Sequence, residues 1–220
     1  MPYYLTKAPY WITRFGEIGI VLPIAMALTL WMLLSARSVR PVLGWVMALG
    51  LAVLVTTLSK IAFIGWGIGI PALDFTGFSG HAMFAAAIYP VLAYTLAAQW
   101  TPSRSATALV TLGGYALALL IAWSRVHIQV HSVSEVVAGF ALGAAASGWS
   151  IWHMGGVPAR PRSVRLRWAL VGLVCWLTVM PLHAAPSRSH DIVTRIALEL
   201  ADRTQPFRRV DLHGYALPQT

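Results

Sequence analysis

The sequence is poor in charged residues and in cysteine. Only 10% of its 220 residues are charged, whereas soluble domains carry about 25%. The composition therefore excludes an ordinary soluble domain. The single cysteine, Cys175, lies in an apolar segment. It excludes a disulfide within the chain, and we interpret it as a small buried hydrophobe.

Acidic residues are scarcer than basic ones, and the formal net charge is +9. A basic stripe along one face would indicate nucleic-acid binding, but the arginines are spread over short loops and a polar C-terminal segment. We therefore expect no nucleic-acid partner. Such arginines are typical of residues that set membrane topology and contact anionic lipid. The sequence shows no internal repeats, and we expect no cleavable signal peptide.

Long apolar runs dominate the composition. Hydrophobic residues make up 58% of the chain, and a helix that spans a bilayer needs roughly 20 of them in succession. Six segments are candidates, the last of them short: 18–36, 42–58 with its continuation, 82–98, 106–123, 133–152 and 168–182. The sequence predicts an all-α integral membrane bundle of about six transmembrane helices.

This bundle is predicted to occupy residues 1–185. The aromatic start, residues 1–15, is interpreted as an interfacial segment. Residues 186–220 form a polar tail, in which an amphipathic helix over 190–203 is expected on the membrane surface or over the mouth of a site.

The loop charges give a preliminary orientation. With six spans, one side receives seven arginines, and the other receives four basic residues near helix ends. The second side also receives Lys60 and Arg125, which raise its count to six if they are ordinary loop charges. If they belong to a site instead, the difference places the arginine-rich side in the cytoplasm.

Polar residues converge at three helix ends on the second side. They are Lys60, the segment "LDFTGFSGHAMF" at 73–84 and the segment "WSRVHIQVHSVSEV" at 123–136. Ionisable groups at membrane depth are costly and usually functional. The cations, hydroxyl and helix N-terminus suit a phosphate, whereas the histidines suit a nucleophile and a general acid. Metal binding fits less well, because only His127 and His131 have ligand spacing, so we expect no metal and no cofactor.

The motifs resemble those of the type 2 phosphatidic acid phosphatase family, over roughly residues 55–150. That family carries Lys-x6-Arg-Pro, Pro-Ser-Gly-His and Ser-Arg-x5-His-x3-Asp. Here "SGH" stands at 79–81, and "SR" at 124–125 precedes His131 by five residues, with Glu135 three residues beyond. The resemblance implies a metal-independent phosphohydrolase with a phosphohistidine intermediate. It also implies an active site on the periplasmic face of the bacterial inner membrane.

The resemblance assigns a role to each matching residue. His131 would be the nucleophile, His81 the acid that protonates the leaving oxygen, and Glu135 the carboxylate that orients His131. The phosphate oxygens would be held by Lys60, Ser79, Gly80 and Arg125.

Three departures from the family pattern stand out. Phe78 replaces a proline, and Glu135 is one methylene longer than the family's aspartate. Gly67 and Ile68 occupy the Arg-Pro positions of the first motif, and no arginine lies anywhere from 61 to 78. One phosphate ligand is therefore missing or supplied from elsewhere. The candidates in the tail are Arg188, Arg195, Arg208 and Arg209.

Several residues have simpler interpretations. Glu135 fits a capping box with Ser132, which is compatible with orienting His131. Lys60 could instead extend to the bilayer interface. We interpret His127 as structural or as a rim residue, Asp74 as a turn residue and the glycine-rich stretch 65–71 as a flexible loop or a close helix contact. The other histidines are expected to be interfacial or solvated: His153, His183, His190 and His213.

The favoured function is hydrolysis of a membrane lipid phosphate or diphosphate. By the resemblance, undecaprenyl diphosphate comes first, followed by phosphatidylglycerophosphate, phosphatidate and lipid A phosphates. A lipid phosphotransferase using the same site is the alternative enzyme, and a transporter or proton relay is the alternative of another class. A relay would place ionisable groups at the bilayer midplane, whereas these cluster at helix ends. The partners expected are the lipid substrate and the bilayer, and the oligomeric state stays open.

Overall fold

The computed structural model describes four stretches of the chain and three isolated positions. They are residues 3–35, 39–101, 103–154 and 189–214, with Gly172, Trp176 and Val179. Within these residues the secondary structure is helical and contains no strand. The predicted all-α class is confirmed.

Eight α-helices and a short 3-10 turn are present in the described residues. They are α1 (Tyr3–Arg14), α2 (Ile18–Ser35), α3 (Arg40–Trp66), the 3-10 turn Pro71–Leu73, α4 (Gly80–Trp100), α5 (Arg104–His127), α6 (Val133–Met154), α7 (Ser189–Ala201) and α8 (Arg209–Leu212).

Four helical segments in the described residues are long and apolar enough to cross a membrane. They are Ala8–Leu33, Arg40–Trp66, Gly80–Ala98 and Arg104–His127. The predicted number of about six is not confirmed. Of the other two predicted spans, 133–152 corresponds to α6, which is not among these four segments, and 168–182 lies outside the described residues except for isolated positions.

Helix α4 forms the centre of the bundle and packs against α5 and α6. Two glycines of α6 make the second contact possible. A Cβ on Gly139 would lie 2.5 Å from the carbonyl oxygen of Ser79, and one on Gly143 would lie 2.2 Å from that of Met83. Small residues at this spacing let two helix backbones approach closely. The first turn of α6 is thereby held against the first turn of α4, where the Ser79 amide donates to the Glu135 carbonyl at 3.1 Å.

The outward faces of these helices are strongly apolar. Leu22, Met26, Leu30, Met47 and Leu109 are among many large hydrophobic side chains that no other part of the described chain covers. In water such a surface would be unfavourable, but lipid tails solvate it at no cost. The exposed apolar belt therefore agrees with a membrane protein.

The C-terminal helix α7 packs on the end of α3. Ala197 joins the small apolar cluster of Ile61, Phe63 and Ile64. The amide of Phe207 donates to the carbonyl of Ile64 at 3.0 Å. These contacts fold the tail back over the bundle.

The tail packs against the glycine-rich segment 65–71. A Cβ on Gly65 would lie 3.1 Å from both the Ala197 carbonyl oxygen and the Ala201 Cβ. Gly67 ends α3 in the left-handed conformation, with φ of 69°, and a Cβ there would lie 3.1 Å from the Phe207 ring. Glycine is needed at 67 for both reasons. Of the two predicted interpretations, the structure shows the close contact.

Candidate active site

A cavity of about 920 Å³ lies where α3, α4, α5, the loop before α6 and the tail meet. Five of the seven predicted site residues line it: Lys60, Gly80, His81, Arg125 and His131. The other two, Ser79 and Glu135, are fully buried. The helix ends that the sequence predicts to converge do so in the structure.

His131 and Glu135 form a hydrogen-bonded pair in the cavity wall. The His131 Nδ1 and the Glu135 Oε2 are 2.7 Å apart. The same oxygen accepts the Ser132 amide at 3.2 Å, and the Ser132 hydroxyl accepts the Glu135 amide at 3.3 Å. Glu135 therefore makes the capping-box contacts and the histidine contact together.

Thr76 binds the other oxygen of Glu135. Its amide donates to Oε1 at 2.8 Å, and its hydroxyl donates to the same atom. Thr76 follows the 3-10 turn, where Ile70 and Phe75 pair and Asp74 adopts a left-handed conformation. Thr76 is not among the site residues predicted from the sequence. Its signal is modest: a hydroxyl residue three positions before the "SGH" motif.

The environment of His131 favours its neutral form. Burial lowers the pKa of His131, and although the hydrogen bond to the Glu135 carboxylate raises it, the net pKa is below the ordinary value for histidine. A carboxylate accepts hydrogen bonds only, so Nδ1 carries the proton. The lone pair is therefore on Nε2.

The "SGH" motif begins α4. Ser79 is the N-cap residue and has an extended backbone. Its hydroxyl is buried and has no hydrogen-bond partner among the described residues. The main chain of Gly80 and the side chain of His81 form this part of the cavity wall, whereas the Ser79 hydroxyl lies behind it.

Lys60 extends toward the start of α4. Its ammonium nitrogen is 3.7 Å from the position of a Cβ on Gly80, and its Cγ is 3.3 Å from that of a Cβ on Gly77. The charged end of Lys60 thus lies beside the "SGH" turn, inside the cavity wall.

Arg125 is held by the N-terminal segment. Its Nη1 donates to the Thr13 hydroxyl at 3.0 Å, and its buried Nε has no partner within the described part of the chain. Glu17 lines the same cavity. Neither Thr13 nor Glu17 is among the residues predicted from the sequence. Thr13 lies in the segment interpreted as interfacial, and Glu17 lies between that segment and the first predicted span.

The tail contributes an arginine to this cluster. Arg209 Nη2 donates to Glu135 Oε2 at 2.7 Å, and Nη1 donates to Asp74 Oδ2 at 2.5 Å and to the Asp74 carbonyl at 2.8 Å. Asp74 also contacts His213, at 2.9 Å. The pKa of Arg209 is raised, since the two carboxylates outweigh the effect of burial.

The other tail arginines differ from Arg209. Arg208 lines the cavity, Arg195 is exposed, and Arg188 lies outside the described residues. Among the four candidates for the missing ligand, the structure therefore places Arg209 and Arg208 at the cavity.

The remaining histidines lie mostly away from the cluster. His127 is exposed and stacks on Trp123, with ring centroids 5.0 Å apart, and His153 is exposed beside Trp149. His190 lines the outer part of the cavity. His183 is outside the described residues, among which no three His, Cys, Asp or Glu side chains are grouped as metal ligands would be.

The cavity combines cations with apolar surface. Its wall contains Lys60 and Arg125, and also Val53, Phe63, Ile64, Met83 and Phe84. Cations with hydrogen-bond donors suit a phosphate, and the apolar side chains suit an attached hydrocarbon. The arrangement can therefore hold a phosphate beside a neutral histidine.

The sequence matches one known protein over most of its length and another over a shorter segment. A Klebsiella pneumoniae protein described as an "uncharacterized 22.5 kDa protein in cps region" is 36% identical over 208 residues, which are 93% of this chain and 97% of that protein. Phosphatidylglycerophosphatase B of Bacillus subtilis (strain 168) is 40% identical over 65 residues, 30% of this chain and 32% of that enzyme.

The fold matches a solved membrane protein. A crystal structure of a transmembrane PAP2-type phosphatidylglycerolphosphate phosphatase from Bacillus subtilis superimposes with a TM-score of 0.55, covering 72% of this chain and 80% of that one at 23% identity. At this identity the likeness shows a shared fold. The family model of the PAP2 superfamily matches residues 65–157, which include the "SGH" and "SR" motifs. The resemblance drawn from the motifs is confirmed: residues 65–157 of this chain match the PAP2 superfamily.

Proposed function

We propose that this protein is a metal-independent phosphohydrolase of membrane lipid phosphates or diphosphates, and that His131 is its nucleophile. One observation carries the proposal. The Glu135 carboxylate holds Nδ1 of His131 at 2.7 Å, in the wall of a cavity that also contains Lys60, His81 and Arg125. This contact leaves the lone pair on Nε2 for attack on phosphorus.

In the first step Nε2 attacks phosphorus and forms an N–P bond. The P–O bond to the leaving group breaks, and His81 gives a proton to the departing oxygen. The leaving group is the lipid alcohol of a monophosphate or the lipid monophosphate of a diphosphate. Lys60 and Arg125, with the main chain at Gly80, hold the phosphoryl oxygens. Cations placed in advance at the developing charge are usually the largest catalytic contribution. Glu135 stabilises the positive charge that develops on the His131 ring.

In the second step water attacks the phosphorus of the phosphohistidine. His81, now neutral, takes a proton from this water, and the N–P bond breaks. Inorganic phosphate leaves the cavity. Both histidines return to their starting states.

The cavity supports an extended lipid as the substrate. Its volume of about 920 Å³ is at the upper end of the range for small-molecule sites, and its apolar side chains would contact the first carbons of a hydrocarbon chain. We place undecaprenyl diphosphate first among the substrates. Phosphatidylglycerophosphate comes next, since a relative is named for it, and phosphatidate and lipid A phosphates follow.

We further propose that the cavity faces the periplasm of a bacterial inner membrane. The distribution of basic residues supports this orientation. The cavity lies at the end of the bundle opposite Arg40 and Arg104, which begin α3 and α5, and the sequence predicts the arginines of 157–167 on that opposite side. Lys60 and Arg125 line the cavity, so they do not count as ordinary loop charges, and the positive-inside rule then places the opposite loops in the cytoplasm.

Phosphate release by the purified protein tests this function. The protein in detergent would be given each lipid phosphate in turn, with a chelator present, and both inorganic phosphate and the lipid products would be measured. We expect release from at least one substrate, and its abolition in His131→Ala. His127→Ala is the matched control and should retain activity, because His127 is exposed and outside the cavity. No release from any substrate, or full activity of His131→Ala, would contradict the proposal. Transfer of phosphate to a second lipid would instead support the phosphotransferase.

A further inference from the structure

We infer that the C-terminal segment 189–214 completes the active site and that Arg209 is a positioning residue for the pair formed by Glu135 and His131. This inference rests on the proposed function. It concerns a residue outside the matched family region, residues 65–157, and outside the three sequence motifs.

Arg209 bridges two carboxylates. Its two Nη atoms divide between two carboxylates, with Nη2 on Glu135 at 2.7 Å and Nη1 on Asp74 at 2.5 Å. A planar guanidinium can bridge two acceptors in this way, whereas an ammonium is a single point charge. Arg209 therefore fixes Glu135 relative to the turn that precedes Thr76, and Thr76 binds the other oxygen of Glu135.

The tail is packed firmly against the end of α3. Ala197 is fully buried, the Phe207 ring lies against Gly67, and the Phe207 amide is bonded to Ile64. A loosely attached surface helix would not bury a side chain completely, and its segment would not lie in close contact with the glycines at the end of α3. The docking of α7 thus delivers Arg209 to Glu135.

Arg209 also alters the charge that Glu135 presents to His131. Glu135 Oε2 is shared by His131 and Arg209. A cation on that oxygen reduces the negative charge that the carboxylate presents to the histidine, and favours neutral His131. The other charged or titratable groups around His131 are Lys60 of α3, His81 of α4 and Arg125 of α5. Glu17, His190 and Arg208 line the same cavity. With Arg209 removed, Glu135 is the anion left beside His131, and we expect His131 to hold its proton to higher pH.

Arg209→Gln is the test, with Arg195→Gln as the matched control. Both change an arginine of the tail, but Arg195 is exposed. We expect Arg209→Gln to lower kcat by about tenfold or more, with a smaller change in KM, since the residue acts through Glu135. The acid limb of the kcat/KM profile should move to higher pH by about half a unit or more. Arg209→Lys should be intermediate, because lysine restores the charge without bridging both carboxylates.

A second readout does not depend on activity. The rate at which diethyl pyrocarbonate modifies His131 follows its neutral fraction, and mass spectrometry of the peptide that carries it gives the pH midpoint. This midpoint should rise in Arg209→Gln and stay unchanged in Arg195→Gln.

The outcomes separate the two proposals. If the unmodified protein hydrolyses no lipid phosphate, the proposed function fails, and the His131 midpoint still decides the role of Arg209. If the protein is active and Arg209→Gln behaves as Arg195→Gln does in kcat and in midpoint, the inference is wrong. A loss of activity without a shift of the midpoint would also overturn it, because that result indicates a structural role alone.

Discussion

At the scale of single residues, Glu135 determines the arrangement of the site. Its two oxygens receive five hydrogen bonds, from the amide and hydroxyl of Thr76, the His131 ring, the Ser132 amide and Arg209. An ionised carboxylate accepts hydrogen bonds on both oxygens and has no donor of its own. The carboxylate is fully buried, and only its ionised form satisfies all these donors. Its capping role and its histidine contact are therefore parts of one network.

Glu135→Gln separates charge from shape. An amide would place an NH2 donor against existing donors, either those of Thr76 or those of His131 and Arg209. We expect a loss of about 1–3 kcal/mol in the free energy of unfolding. Turnover should fall at least about a hundredfold, since the same change in the serine-protease triad costs about 10⁴.

Ser132→Ala is the control for the cap, with an expected cost of about 1 kcal/mol and little change in turnover. Thermal unfolding and phosphate release distinguish the two variants. Normal turnover in Glu135→Gln would show that Glu135 is only a cap.

The pH dependence also belongs to single residues. Burial lowers the pKa of His131 below the ordinary histidine value, and only the neutral ring is a nucleophile. Rate should therefore be retained as pH falls through the usual histidine range and be lost only as pH falls through the lowered pKa. We expect the acid limb of kcat/KM below about pH 6.5, the ordinary value. A limb above that value would disagree with the environment described for His131.

At the scale of helices, small residues decide where the site residues lie. Gly139 and Gly143 allow α6 to contact the start of α4, and Gly65 and Gly67 allow the tail to dock on α3. None of these glycines lines the cavity. They set the distances between elements, and so the distances between the groups that line the cavity.

Gly139→Ala tests the seam between α4 and α6. The added Cβ would lie 2.5 Å from the Ser79 carbonyl oxygen, so the helices must separate. We expect about 1–3 kcal/mol of destabilisation, together with reduced turnover as Glu135 moves away from Thr76.

Gly148→Ala is the matched control in the same helix, because the nearest atom to its added Cβ is 4.0 Å away. That variant should be unchanged or slightly more stable, since alanine favours the helix. Equal stability of the two variants would show that the close approach is unimportant.

At the scale of the whole molecule, the sequence predicts the helical class and the convergence of the motifs, because both follow from local patterns. Apolar run lengths indicate helices, and alternating spans bring Lys60, His81 and His131 to one side. The contacts of Arg125 with Thr13 and of Arg209 with Glu135 join residues 112 and 74 positions apart. No local periodicity encodes such contacts, so the sequence named Arg209 only as one of four candidates. The count of about six spans is not confirmed, since four helical segments of the described residues are long and apolar enough to cross a membrane and the last predicted span lies mostly outside those residues.

Orientation in the membrane is tested by labelling single cysteines, with Cys175→Ser as the background. Thr204→Cys lies in the exposed tail beside the cavity, and Ser105→Cys lies at the exposed start of α5, at the opposite end of the bundle. In intact spheroplasts, a membrane-impermeant maleimide should label Thr204→Cys, and should label Ser105→Cys only after lysis. The reverse pattern would place the cavity in the cytoplasm.

Trapping of the phosphoenzyme tests the central claim most directly. The purified protein would be mixed with the best lipid phosphate found, quenched within milliseconds in alkali, which preserves phosphohistidine, and digested for mass spectrometry. We expect a phosphoryl group on His131 that is lost in acid and absent from His131→Ala. Phosphate release by an active protein without any phosphoryl group on His131, or with one on another residue, would contradict the account.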